Sequence, residues 1–138
     1  MQREDALKIL EENLSNDKLI KHCIAVGAIM KHLARFLGED ERRWEIVGLL
    51  HDIDYEKTKD DPKMHGIVAE EILRGKVDEN MIRTIKSHNF ENNGVIPERK
   101  EDYALIASDS VSGLIIASAL VMPHKKLEEV RVETVKKK

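Results

Sequence analysis

The sequence predicts an all-α protein: a single-domain bundle of about six to seven helices over residues 1–138. Apolar residues recur at helical spacing almost throughout, and no segment alternates convincingly as a strand. The chain has 138 residues, which is enough for one hydrophobic core but too short for two comfortable domains. Its 41% hydrophobic and 36% charged residues are typical of a soluble globular protein with a strongly solvated surface.

The first three helices are predicted from apolar spacing and from signals at their ends. Three leucines at helical spacing within residues 7–14 indicate the first helix. The second opens at residue 16 or 17 and continues to residue 37, where Gly38 is the expected C-terminal stop. The third begins near Asp40 and leads directly into His51.

Two further helices follow a polar loop. The Asp61-Pro62 pair resembles a cap followed by a first-turn proline, so we predict a fourth helix from there to Gly75. Asp78 is predicted to cap a fifth helix that ends near His88. The segments 53–61 and 89–100 are predicted to be mobile loops at the rim.

The last part of the chain is predicted to contain a long, buried helix. It covers residues 101–121, is broken by Pro123 and is followed by a short, charged seventh helix. Residues 103–121 carry a single charge and are nearly long enough to span a membrane. Four serines and one glycine in this stretch favour a central helix of a water-soluble domain, so no membrane association is expected.

Composition also bears on partners and location. The net charge is only −3, and no basic block alternates with aromatic residues, so nucleic-acid binding is not expected. The charged N-terminus does not resemble a signal peptide. Cys23 is the single cysteine, which excludes an intramolecular disulfide and agrees with a cytoplasmic location. Cys23 stands mid-helix in an aliphatic run, and we interpret it as core filler rather than as a nucleophile.

Six ionisable side chains fall on the apolar faces of predicted helices. They are His22, His51, Asp52, His65, His88 and Asp109. A lone buried histidine is usually a hydrogen-bonded core residue, but burying six such groups singly is costly. A divalent cation such as Zn, Fe, Mn, Co or Ni would satisfy them together. Gly113 and its neighbouring serines are expected to allow close helix packing around this centre.

The order of these residues resembles the HD superfamily of metal-dependent phosphohydrolases. An upstream histidine, His22, is separated by 28 residues from the adjacent His51-Asp52 pair, and Asp109 follows on another helix. With His65 and His88 between them, the order is similar to the dinuclear branch of that superfamily. The resemblance covers about residues 18–122 and implies an HD-domain helical bundle.

The resemblance implies a role for each residue. His22, His51, Asp52 and Asp109 would hold a first metal. His65 and His88 would complete a second site, with Asp52 bridging the two metals. Alternatively, His65 and His88 bind the substrate phosphate or stabilise the loop, which would leave one metal per chain.

The implied activity is hydrolysis of a phosphate ester or anhydride by metal-activated hydroxide. The expected substrate is a small phosphorylated metabolite, with a nucleotide preferred. Asp52 takes part in this chemistry as a ligand. Asp54 either orients the water or acts as a general base, or it is an ordinary helix-end carboxylate.

The sequence departs from the superfamily at the position of a phosphate-binding lysine. Many relatives continue the His-Asp pair with a small residue and then a lysine, where this chain has Asp54 and Tyr55. The candidate replacements are basic residues nearby: Lys57, Lys59, Arg83 and Lys86. The Gly-Tyr-Pro signature is absent, which argues against cyclic dinucleotide cleavage.

Two other functions are compatible with the same residues. One is a ligand-binding or regulatory module that keeps the metal without catalysis, which the missing lysine favours slightly. The other is an oxygenase with a dinuclear iron centre in the same fold. The sequence leaves open the identity of the metal and the oligomeric state.

Overall fold

The computed structural model describes residues 1–120, with side chains described through residue 113. Its helices are α1 (Arg3–Asn13), α2 (Asp17–Leu37), α3 (Glu41–Leu50), α4 (Tyr55–Thr58), α5 (Ile67–Leu73), α6 (Glu79–Ser87), α7 (Phe90–Asn93) and α8 (Lys100–Leu120), with a 3₁₀ turn at Pro62–Met64. Within these residues the fold contains no strand, so the prediction of an all-α bundle is confirmed.

The predicted ends of α2, α3 and α6 are confirmed at the level of individual caps. The side chain of Asn16 accepts hydrogen bonds from the first backbone N–H groups of α2, and Gly38 ends that helix in the left-handed conformation at φ 73°. Asp40 caps α3, and Asp78 caps α6 by accepting from the backbone N–H of Met81. These bonds satisfy donors that a helix leaves unpaired at its start.

Helices α2 and α3 cross at two glycines, which the sequence analysis did not identify. A Cβ atom on Gly48 would lie 2.7 Å from the Cα atom of Gly27. The backbones therefore touch, and the core closes around this crossing with buried Val26, Val47 and Leu50. The close approach brings the start of α2, which carries His22, next to the end of α3.

The predicted fourth helix is wrong at its N-terminus. Pro62 opens only a 3₁₀ turn, and Asp61 makes no side-chain cap hydrogen bond. The chain then breaks at Gly66, where φ is 95°, a value that no right-handed helix accommodates. The helix α5 begins after this break, at Ile67.

The long helix predicted over residues 101–121 is confirmed as α8, but the two predicted loops need correction. Each of the two polar segments contains one four-residue helix, α4 or α7, rather than loop alone. The close packing expected at Gly113 is not seen among the described residues, none of which lies within 4 Å of a Cβ atom placed there. The predicted break at Pro123 and the short seventh helix lie outside the described residues. None of the helices described is long and apolar enough to cross a membrane.

Candidate metal centre

The structure brings together all six of the ionisable residues that the sequence analysis singled out. His22 lies on α2 and Asp109 on α8, while His51 and Asp52 follow the last residue of α3. His65 lies between the 3₁₀ turn and α5, and His88 follows α6. Residues from five separate parts of the chain thus converge at one point of the bundle.

Four of these side chains form a first group of possible metal ligands. One donor atom from each of His22, His51, Asp52 and Asp109 lies within 4.8 Å of the others. The Nε2 atom of His22 lies 2.8 Å from Oδ1 of Asp109 and 3.5 Å from Oδ2 of Asp52. The Nε2 atom of His51 lies 3.2 Å from the same Asp52 oxygen and 3.3 Å from Oδ1 of Asp109.

Asp52, His65 and His88 form a second group, which shares Asp52 with the first. The Nε2 atoms of His65 and His88 lie 3.1 Å and 3.4 Å from Oδ1 of Asp52. They are only 2.9 Å from each other. Asp52 therefore presents one carboxylate oxygen to each group.

The opposite ring nitrogens of the histidines contact oxygen atoms of the protein. Nδ1 of His51 lies 2.6 Å from the carbonyl oxygen of Gly48, and Nδ1 of His88 contacts the carbonyl of Ile85. Carbonyl oxygens only accept, so these two Nδ1 atoms must donate, and in the neutral ring Nε2 keeps its lone pair. Such a hydrogen bond fixes a metal-binding histidine in the required tautomer.

The other two histidines are oriented by side chains. Nδ1 of His65 lies 2.7 Å from Oδ1 of Asp54, and Nδ1 of His22 lies 3.3 Å from the hydroxyl oxygen of Ser112. A hydroxyl can accept as well as donate, so Ser112 is compatible with the same tautomer in His22. All four Nε2 atoms can thus offer lone pairs towards the two carboxylates.

The electrostatics of the cluster fit a cation. Hydrogen bonds to Asp109 and Asp52 raise the pKa of His22 to about 9. Burial lowers the pKa of His65, but hydrogen bonds to Asp52 and Asp54 outweigh it and raise that pKa to about 9. The carboxylates thus favour positive charge at these Nε2 atoms, and a divalent metal ion can supply that charge. The donor set of imidazole and carboxylate therefore fits a transition metal.

The remaining predicted site residues occupy different environments. Asp54 is fully buried, and its Oδ2 atom accepts hydrogen bonds from the backbone N–H groups of Gly66 at 2.7 Å and Ala69 at 2.9 Å. Cys23 is buried as expected, and burial raises the pKa of its thiol to about 12, which disfavours a thiolate nucleophile.

The predicted phosphate-binding residues are already engaged with protein groups. Lys57 donates to the side chain of Asn13 at 2.9 Å. Lys86 pairs with Glu70 at 3.0 Å. Arg83 forms ion pairs with Glu98 at 3.3 Å and Asp102 at 3.5 Å. None of these contacts of Lys57, Lys86 and Arg83 involves a residue of the six-residue cluster.

Two cavities adjoin the cluster. One of about 190 Å³ is lined by His88, Asn89, Phe90, Glu91, Ile106, Asp109 and Ser110. The other, of about 160 Å³, is lined by Tyr55, Thr58, Lys59, Pro62, His65 and Asn89. Each includes a histidine of the second group, so a ligand in either cavity would lie beside the possible metal ligands.

Fold and site together define an all-α domain with a histidine–aspartate cluster able to hold a divalent metal. The family model for the HD domain matches residues 19–119. The chain belongs to the HD-domain family, which is a family of metal-dependent phosphohydrolases. The single domain expected over residues 1–138, with its core at about residues 18–122, stays a prediction.

A distant relative supports the same family. Ribonuclease Y 2 of Bdellovibrio bacteriovorus is 29% identical over 94 residues, which is 67% of this chain. The chain spans only 17% of the length of that relative. No solved structure matches the chain.

Proposed function

We propose that this protein hydrolyses a phosphate ester or anhydride of a small phosphorylated metabolite, with two divalent metal ions held by the six-residue cluster. The observation that carries the proposal is the position of Asp52. Its two oxygens face separate sets of histidine nitrogens, at 3.2 Å and 3.5 Å on one side and 3.1 Å and 3.4 Å on the other. A binding module without catalysis has no need for such a shared carboxylate.

The chemistry follows from the ligand set. A bound divalent cation lowers the pKa of water towards neutrality and polarises phosphoryl oxygens. Asp52 and Asp109 supply the negative charge that retains the cations, and the four histidines fix their positions. Asp54 is fully buried with both oxygens engaged, so the proposal assigns it no direct contact with the attacking water.

A nucleotide is the substrate class that we favour. The cavity beside His88 and Asp109 includes the side chains of Phe90 and Ile106, which offer apolar surface to a base or sugar. The relative from Bdellovibrio bacteriovorus is named a ribonuclease, so RNA phosphodiesters belong in the substrate screen. The expectations that the protein binds no nucleic acid and is cytoplasmic stay predictions.

Metal content of two histidine variants tests the proposed centre. We expect two metal ions per chain in the wild type, one in His88→Ala and almost none in His51→Ala. His88 belongs to the second group alone, whereas His51 is fully buried and its Nε2 atom lies 3.2 Å from Oδ2 of Asp52, the residue that both groups share. Elemental analysis of the purified proteins after incubation with Mn or Co measures this stoichiometry, and hydrolysis of a generic phosphate ester measures activity.

The exposed histidine His32 provides the matched control, because His32→Ala should keep both metals and full activity. One metal per chain, unaffected by His88→Ala, would contradict the dinuclear proposal and return His88 to substrate binding. Oxygen consumption by the iron-loaded protein, without phosphatase activity, would favour the oxygenase alternative instead.

Lys59 is the basic residue that we propose for phosphate binding. It lines the cavity beside His65, together with Tyr55, whose ring lies edge-on to that histidine at 5.9 Å. Within the described part of the chain Lys59 forms no ion pair, in contrast to Lys86 and Arg83. A lysine ammonium is suited to phosphate as a point charge.

Removing this charge should weaken substrate binding more than catalysis. We expect Lys59→Ala to raise KM about tenfold or more, because a hydrogen bond to a charged group contributes roughly 1.5–3 kcal/mol. Steady-state kinetics on the best substrate of the screen measure the change. Lys63→Ala removes an exposed charge four residues away and should leave KM as in the wild type. Equal effects of the two substitutions would indicate general electrostatics instead of a phosphate contact.

A further inference from the structure

Asp54 links three parts of the site that are distant in sequence. It follows the His51-Asp52 pair, and it is fully buried. Its Oδ2 atom accepts from the backbone N–H groups of Gly66 and Ala69, 12 and 15 residues further along. Its Oδ1 atom lies 2.7 Å from Nδ1 of His65. One carboxyl group thus ties the end of α3 to the start of α5 and to a histidine of the cluster.

The position of Gly66 makes this contact possible. Gly66 donates its backbone N–H to Asp54 while its φ is 95°, a conformation that few other residues adopt. A Cβ atom on Gly66 would also approach the Cα atom of Lys86 to 3.2 Å. The backbone that follows His65 is therefore held against both Asp54 and α6.

We propose that Asp54 is a positioning residue that sets the tautomer and orientation of His65 and thereby makes the second metal site. The inference rests on the proposed two-metal centre. Since a carboxylate accepts and does not donate, Nδ1 of His65 must carry the proton. In the neutral ring that binds a metal, Nε2 then keeps its lone pair; this atom lies 3.1 Å from Oδ1 of Asp52 and 2.9 Å from Nε2 of His88.

His65 is the histidine that needs such a partner most. His51 and His88 each donate to a carbonyl three residues earlier in their own helix, an acceptor that the helix end supplies. His65 follows a short 3₁₀ turn and precedes Gly66, and its own Nδ1 contact is made to Asp54. The side chain of Asp54 thus accepts from Nδ1 of His65, whereas a nearby backbone carbonyl accepts from Nδ1 of His51 and of His88.

Asp54→Asn reverses the hydrogen bond with little change of shape. The two backbone N–H groups at Gly66 and Ala69 hold the amide oxygen, so the amide NH₂ faces His65. Nδ1 must then accept, the proton moves to Nε2, and that nitrogen can no longer bind a metal. We expect the second metal to bind about 10- to 100-fold more weakly, the range found when such an outer partner is lost, and the first to bind as in the wild type.

Two readouts test the inference on the zinc-loaded full chain. Metal titration followed by elemental analysis measures each site, and long-range ¹H–¹⁵N NMR reports which nitrogen of His65 carries the proton. We expect Nδ1–H in the wild type and Nε2–H in Asp54→Asn. Retention of two tightly bound metals in Asp54→Asn, or Nε2–H in the wild type, would overturn the proposal. If the variant does not fold, the wild-type NMR measurement still tests which nitrogen of His65 carries the proton.

Asp102→Asn is the matched control. Asp102 is also fully buried and also accepts from two backbone N–H groups, those of Glu98 and Arg99, and from the hydroxyl of Thr84. It contacts no histidine through these bonds. We expect Asp102→Asn to lower stability and to leave the metal content unchanged; equal metal loss in both variants would overturn the proposal. A single metal in the wild type would refute the two-metal centre, while the NMR comparison would still decide the role of Asp54.

Discussion

Asp52→Asn should remove both metals and abolish hydrolysis. Asp52 is the one residue common to the two groups of possible ligands, and its oxygens lie 3.1–3.5 Å from four histidine nitrogens. Losing a hydrogen-bond partner of a metal ligand already lowers metal affinity by about 10- to 100-fold. Losing a ligand that both metals share should therefore lower the affinity for both by more than that. Asparagine has nearly the same volume, which limits structural disturbance.

Elemental analysis and thermal unfolding with and without added Mn measure this effect. A ligand present at about 100 times its Kd stabilises a protein by roughly 2.7 kcal/mol, so the wild type should melt at a higher temperature with Mn and Asp52→Asn should not respond. Glu101→Gln changes another buried carboxylate, which pairs with Arg43 outside the cluster, and should keep the response. A normal metal content in Asp52→Asn would contradict the bridging role.

Gly48→Ala should cause a large loss of stability, although it adds only one methyl group. The new Cβ would lie 2.7 Å from Cα and 2.8 Å from N of Gly27, and both are backbone atoms that cannot rotate away. Overpacking typically costs about 1–3 kcal/mol and occasionally more. We expect about 3 kcal/mol, even after the gain of roughly 1 kcal/mol in helix propensity.

Chemical denaturation gives this free energy directly. A loss of about 3 kcal/mol should also lower the melting temperature by on the order of 10 °C in a chain of this size. Gly113→Ala is the matched control, because no described residue lies within 4 Å of the new Cβ atom. It should raise stability by about 0.5–1 kcal/mol through propensity alone. Similar effects of the two substitutions would show that helices α2 and α3 can move apart.

Helix periodicity and caps were sufficient to predict most of the fold. Asn16, Gly38 and Asp78 mark helix ends through their own side chains or backbone freedom, and these signals are local. The helix expected from Asp61 was wrong because a proline can also open a 3₁₀ turn. The helix predicted from Asp61 is interrupted at Gly66, because this residue has a positive φ. That conformation depends on contacts with Asp54 and α6, which are distant in sequence.

The six members of the cluster could be named from sequence because each interrupts an apolar helical face. Their donor atoms lie in two groups that share Asp52, and the roles that the HD resemblance implies for them stay predictions. The partners of the histidines were harder to predict. Asp54 was expected either to act on the attacking water or to be an ordinary helix-end carboxylate. The structure instead places it beside Nδ1 of His65, a contact between residues 11 positions apart that depends on the path of the intervening turn. Ser112 and the carbonyl of Gly48 carry no signal in the sequence.

The two histidines that end α3 and α6 have a consequence for the lengths of these helices. His51 and His88 each donate a hydrogen bond to the carbonyl oxygen three residues earlier. Each side chain therefore satisfies a carbonyl at the end of its helix and also belongs to the cluster. One residue inserted into either helix before its histidine would rotate that side chain by about 100° around the axis. The spans that precede His51 and His88 should therefore keep a constant number of residues in this family.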